Sequence, residues 1–94
     1  GVIKRSMEIS TSNLFDKHFR KRIKPHKNLV NLFQKQISRF RDNPNHPLLR
    51  NHELKGEKQN LRSFSITGDI RVIYEHHSHD EVKFLDVGTH NQVY

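Results

Sequence analysis

Eight histidines, at positions 18, 26, 46, 52, 76, 77, 79 and 90, are the side chains best suited to chemistry near neutral pH. An imidazole titrates there, so it can move protons or bind a metal. His52 precedes Leu54 and Gly56 in an irregular stretch that leads into strands, and His90 follows Gly88-Thr89 just beyond the last strand. Both stand at element ends, where side chains converge on the rim of a rigid sheet. Asp69 lies in a turn between two strands that carry Arg62 and Arg71. Two histidines, a carboxylate and arginines suit metal-free RNA cleavage. A base takes the 2′-hydroxyl proton, an acid protonates the leaving 5′-oxygen, and cations hold the phosphate. Plainer readings stand beside this one. Asp69 is also an ordinary turn former, Arg62 reads equally well as a solvated strand residue, and sequence alone does not assemble these residues into a site.

The other histidines carry less. His76-His77-Ser78-His79-Asp80 invites a metal reading, but consecutive loop residues rarely converge on one ion, and a solvated hairpin loop is expected. His18, His26 and His46 read as surface groups. The glycines at 56, 68 and 88 are too widely spaced for a phosphate-cradling loop, and neither Gly-x-Ser-x-Gly nor His-Glu-x-x-His occurs. With no cysteine, disulfides, thiolate zinc sites and cysteine nucleophiles are excluded.

The elements that must hold these residues follow from periodicity. Ile3, Arg5, Met7 and Ile9 alternate with polar residues and predict a strand. Thr11-Ser12-Asn13 offers helix caps, with Asn13 and Asp16 spaced as a capping pair. Leu14, Phe15, Phe19 and Ile23 form the apolar stripe of a first helix that Pro25 stops. Leu29, Val30, Phe33, Ile37 and Phe40 form that of a second, with Asp42 to Pro47 ending it. Residues 48–60 read as irregular, anchored by Leu48, Leu49 and Leu54. From Leu61 the period returns to two. Strands are expected over 61–66, 70–74 and 82–88, with a turn at Thr67-Gly68-Asp69 and a polar loop from His76 to Asp80. The order is β-α-α-β-β-β, an α+β fold with a helical hairpin on one face of a sheet.

Length bounds the chain of 94 residues to one domain, 1–94, with one modest core. No apolar run exceeds three residues, so no membrane-spanning helix is expected. The lack of cysteine and of a signal pattern fits the cytoplasm. The net charge of +7 is uneven: residues 1–50 carry +9 and residues 51–94 carry −2. Such a basic half suggests a polyanionic partner.

Several segments together resemble the RelE/ParE toxin superfamily, closest to its YafQ branch of mRNA interferases. Leu49-Arg50-Asn51-His52-Glu53-Leu54-Lys55-Gly56 resembles the segment before that family's sheet. Leu61-Arg62 and Ile66-Thr67-Gly68-Asp69-Ile70-Arg71-Val72-Ile73-Tyr74 are similar to its central hairpin, and Gly88-Thr89-His90-Asn91-Gln92-Val93-Tyr94 to its ending. The resemblance implies a RelE-like twisted sheet and a toxin of a type II toxin–antitoxin system. Such a toxin is an endoribonuclease that cuts translated mRNA on the ribosome, with no metal or other cofactor. It implies a cognate antitoxin as partner, and a toxin–antitoxin complex that binds operator DNA.

By motif position, His52 and His90 match catalytic histidines of that branch, Asp69 its hairpin carboxylate, and Arg62 an arginine before the hairpin. His90 is then the general acid, Asp69 or His52 the base or its orienting partner, and Arg62 with Arg71 the holders of phosphate charge. Tyr94 takes the place of a substrate-stacking aromatic that is usually Phe. Two departures stand out. Ser65 occupies a position where the branch often has a second catalytic histidine, and is assigned to substrate binding. Ile70 stands where an aromatic is common. The basic residues Lys17, Arg20, Lys21, Arg22, Lys24 and Lys27 are assigned to ribosomal RNA phosphates, or else serve as a solubilising helix face. Two other functions remain open: a gyrase-inhibiting toxin of the ParE kind on the same scaffold, and a non-catalytic nucleic-acid-binding module.

Overall fold

The computed structural model describes residues 7–56 and 60–94. A first strand, β1 (Glu8–Thr11), leads into helix α1 (Asn13–Arg22) and helix α2 (Lys27–Asp42). The Ile3–Arg5 part of the expected first strand lies outside the described residues. Ser12, not Asn13, caps α1: its hydroxyl accepts from the Phe15 amide at 3.0 Å, while Asp16 accepts from the Thr11 hydroxyl at 2.7 Å. A 3-10 turn at Pro47–Leu49 precedes a two-residue strand, β2 (His52–Glu53). Then come β3 (Leu61–Ser65), β4 (Ile70–Ser78), β5 (Glu81–Thr89) and a four-residue helix, α3 (His90–Val93). The five-stranded sheet runs β1-β5-β4-β3-β2, with β1 parallel to β5 and the other pairs antiparallel. The α+β class and the helical hairpin are as expected, whereas β2 and α3 are additions.

The core is aromatic. Phe15, Ile23 and Phe40 from the helices pack with Phe64, Val72, Tyr74, Val82, Phe84 and Val87 from the sheet. Phe40 is fully buried, with its ring 4.8 Å from Phe64, 5.1 Å from Tyr74 and 5.8 Å from Phe84, centroid to centroid. Of the three anchors expected before the sheet, Leu49 is buried, Leu54 is half-buried and Leu48 is exposed.

The expected loop at 76–80 is instead a longer hairpin. His76 pairs with Val82 and Ser78 with Glu81, and only His79 and Asp80 turn. Side-chain pairing supports the extension: His77 Nε2 lies 2.9 Å from Glu75 Oε1, and its Nδ1 lies 3.4 Å from Glu81 Oε1. A second irregularity sits at Leu85, where the register passes from Tyr74↔Phe84 to Ile73↔Asp86. That extra residue is a bulge, and it returns Val87 to the core face.

Two outcomes follow. Phe40→Ala removes a ring that touches three strands and should cost about 3–5 kcal/mol in chemical denaturation. The hydrogen bond to Glu75 holds the His77 pKa above its ordinary value, with Glu81 adding to the shift. A raised folded pKa stabilises the hairpin tip fully below the unfolded value, and this is lost as pH rises through the folded one. Glu75→Gln should lower the His77 midpoint in an imidazole NMR titration; an unmoved midpoint would refute this account.

Candidate active site

His52 and His90 meet at one shallow cavity of about 400 Å³, lined also by Glu53, Leu54, Lys55 and Tyr94. Its two walls come from distant parts of the chain. One is β2, which pairs His52 with Ser63 and Glu53 with Arg62 at the sheet edge. The other is α3, which packs on β4 and β5 through the buried Val93.

The chain turns into the His52 wall through a left-handed residue, Arg50, at φ 50°. Its carbonyl lies 3.0 Å from His52 Nδ1. A carbonyl only accepts, so Nδ1 is the donor in this bond, and Nε2 is the nitrogen left outside it. Nε2 is therefore the atom through which His52 can exchange a proton.

The His90 wall begins with Gly88. A Cβ there would come within 2.6 Å of both Arg22 Nη1 and Gln92 Oε1. A side chain there would push both of these side-chain ends aside. Gln92 Oε1 accepts from the Thr89 amide at 2.8 Å, and Thr89 and Gln92 form a capping box. So short a helix is unstable in isolation, and this box with Val93 fixes it. The Tyr94 ring meets His90 edge-on, with centroids 4.4 Å apart.

Arg62 is held beside the cavity. Its Nε donates to Asn51 Oδ1 at 2.9 Å, and its guanidinium lies 3.4 Å from Glu53 Oε1. Asn51 in turn donates to the Tyr74 hydroxyl at 2.6 Å and to the Pro44 carbonyl at 3.0 Å. Burial raises the Tyr74 pKa, opposed by the Asn51 hydrogen bond and by the Arg62 charge. Asn51 thus ties the core to the edge strand, a role that its place in an irregular stretch did not signal.

Asp69 is not among the residues lining this cavity. It is exposed in the β3–β4 turn, where the Thr67 hydroxyl accepts from its amide at 3.1 Å. Because Ile70 pairs with Thr89, however, Asp69 and His90 flank the end of one ladder. Ser65 and Arg71 pair across β3 and β4, and the Ser65 hydroxyl accepts from Arg71 Nη1 at 3.3 Å. Lys17, Arg20, Lys21, Lys24 and Lys27 are exposed. Arg22 turns inward instead, donating to the Val87 carbonyl at 2.9 Å with Asp86 3.7 Å away. His18, expected at the surface, is partly buried and hydrogen-bonded to Asp86.

A separate groove of about 560 Å³ opens between the helices and β1. Phe15, Phe19 and Phe33 line it, with Arg20, Lys24 and Arg41 as its cations.

A family model described as a bacterial toxin of type II toxin–antitoxin system, YafQ, matches residues 7–94. The chain belongs to this YafQ toxin family. No curated protein matches the sequence. Among solved structures, YafQ from E. coli strain BL21(DE3) is similar at 21% identity, with 94% of this chain and 98% of that one covered and a TM-score of 0.77. The toxin in the E. coli DinJ-YafQ toxin–antitoxin complex matches at 21% identity over 96% and 99% of the two chains, TM-score 0.77. A YoeB/ParE toxin from Agrobacterium tumefaciens matches at 18% identity over 89% and 99%, TM-score 0.75. These likenesses establish the shared RelE-like fold. Among the described residues, no helix is long and apolar enough to cross a membrane.

Asn51→Ala strips the buried Tyr74 hydroxyl of its donor and should cost about 1–3 kcal/mol. It should also raise the Tyr74 pKa further, because the lost bond favoured the phenolate. Ultraviolet titration of the phenol measures this directly, and an unshifted Tyr74 would contradict it.

Proposed function

We propose that this toxin family member is a ribosome-dependent endoribonuclease that cuts translated mRNA without a metal or other cofactor. The observation that carries the reading is the shared cavity of His52 and His90, with His52 Nε2 left open by the Arg50 carbonyl. In the proposed reaction His52 takes the proton of a ribose 2′-hydroxyl. The 2′-oxygen bonds to phosphorus as the bond from phosphorus to the 5′-oxygen breaks. His90 donates a proton to that leaving oxygen, giving a 2′,3′-cyclic phosphate and a 5′-hydroxyl. Asp69, at the end of the same ladder as His90, serves as the orienting carboxylate. Arg62 is fixed by Asn51 and Glu53 and, with Arg71 beside Ser65, offsets the charge growing on the phosphate. Tyr94, on the cavity wall, offers a ring to a base.

The exposed cations of α1, of the turn after it and of the start of α2, Lys17, Arg20, Lys21, Lys24 and Lys27, contact ribosomal RNA in this reading. The cognate antitoxin is the second partner. The phenylalanine-lined groove fits an acidic amphipathic segment of it. Arg20 and Lys24 line that groove, so antitoxin and ribosome would compete for the same two charges. The complex binds operator DNA, the toxin acts in the cytoplasm, and residues 1–94 work as one domain.

The test is mapping of mRNA 5′-ends in cells after brief induction of wild type and of His90→Ala. New in-frame cuts with wild type are expected, reduced about 10²–10⁴-fold by loss of the acid. Growth arrest without new cuts from either would overturn the nuclease reading in favour of gyrase inhibition or simple binding.

A further inference from the structure

Arg50, whose left-handed turn presents its carbonyl to His52, also lines a different pocket. That pocket, of about 230 Å³, is bounded by Arg39 and Arg50, by Leu32 and Leu48, and by the Thr67-Gly68 turn. We infer that it is a subsite for a nucleotide of the RNA strand next to the scissile one, with Arg39 and Arg50 holding its phosphodiester. The inference rests on the nuclease reading above and adds a place for the substrate that the catalytic histidines do not supply.

Three observations carry it. First, Arg39 is held in place by a buried group. Gln36 is 6% exposed; its amide nitrogen donates to the Leu48 carbonyl at 3.0 Å and to the Ser65 carbonyl at 2.7 Å. Its oxygen is thereby turned to accept from Arg39 Nη1 at 2.8 Å. A buried amide with both ends engaged has one orientation, and so fixes the guanidinium it touches. Second, among the described residues neither Arg39 nor Arg50 has a carboxylate partner. Two guanidinium groups at one small pocket, one of them fixed, leave bidentate donors for an outside anion, and their planar forks match phosphate. Third, the pocket rim is apolar as well as cationic. Leu48 is 56% exposed and Leu32 39% exposed, which suits the face of a base beside its phosphate.

Position favours nucleic acid over protein. The chain links the pocket to the candidate site at two points: the carbonyl of Arg50 faces His52, and Gly68 precedes Asp69. RNA, with a phosphate at every nucleotide, offers an anion to each of the two places. The volume is below that of a typical drug-sized cleft of about 300–1,000 Å³, which fits one nucleotide and not a docked helix.

The experiment is an NMR titration of ¹⁵N-labelled protein with a fully 2′-O-methylated RNA hexanucleotide, which lacks the attacking hydroxyl. Shifts are expected at the Arg39 and Arg50 guanidinium Nε–H groups and the Gln36 amide, together with the His52 ring. Those at the arginines should persist at pH 8, because guanidinium stays charged. Arg39→Gln and Arg50→Asn, the latter keeping a residue that tolerates the left-handed backbone, should each weaken binding about 5- to 30-fold. Each should also flatten the salt dependence by about 0.7 in log–log slope, one phosphate contact. Shifts confined to His52, His90 and Tyr94, or unchanged affinity and slope in both variants, would overturn the subsite and leave the nuclease reading standing. Absence of shifts anywhere at saturating RNA would also overturn it, while the in-cell mapping decides the nuclease reading separately. Shifts at both arginines from a hexaglutamate peptide but not from the RNA would reassign the pocket to a protein partner.

Discussion

Phe40 sets the distance between helix and sheet on which the rest of the structure depends. Its ring fills the space beneath α2 and meets Phe64, Tyr74 and Phe84 on three neighbouring strands. Aromatic pairs at these separations add to the free energy of simple burial and restrict the geometry in which it is gained. Tyr74 carries that restriction outward. Its ring belongs to the core, while its hydroxyl accepts from Asn51, which also receives Arg62. A cation at the sheet edge is thus positioned from the centre of the protein through three residues. The edge strand β2 has only two residues and one neighbour. Without this tether it would have little to hold it.

The candidate site is assembled from backbone features as much as from side chains. Arg50 adopts a conformation unfavourable for a residue with a Cβ, and the result is a carbonyl that accepts from His52 Nδ1. Gly88 leaves room for Arg22 and Gln92 together, and Gln92 closes the cap that starts α3 at His90. The same Arg22 bonds to the Val87 carbonyl, so the first helix braces the strand end from which His90 projects. Residues assigned to different tasks by their types therefore share one mechanical arrangement.

Much of this was legible in the sequence where a single period ran undisturbed. The stripes of the two helices and the alternation of Phe64, Ile66, Val72 and Tyr74 gave the element types, and element ends marked His52 and His90 correctly as neighbours of a sheet rim. What escaped depended on partners distant in the chain. His76 to Ser78 are polar and look like a loop, yet they pair with Glu81 and Val82. Arg22 looked like one more surface cation, and its acceptor, Val87, is 65 positions away. Neither the β2 pairing nor the hub at Asn51 has a local signature, because both are made by tertiary hydrogen bonds. Residue type groups Asp69 with the histidines, whereas the fold puts it in the neighbouring turn and outside their cavity lining.

The parallel pairing of β1 with β5 has a consequence for biosynthesis. Glu8 to Thr11 find their strand partners only at Glu81 to Phe84, so the pairing must await their synthesis and carries the entropy cost of a long loop closure. A nascent chain emerging from the first ribosome to read its message carries its basic helices long before it can complete the sheet beneath them. The wall that bears His90 is made later still. Synthesis thus keeps His52 and His90 apart until residue 90 has been added, and a product terminated before it would carry the cationic helices without the pair.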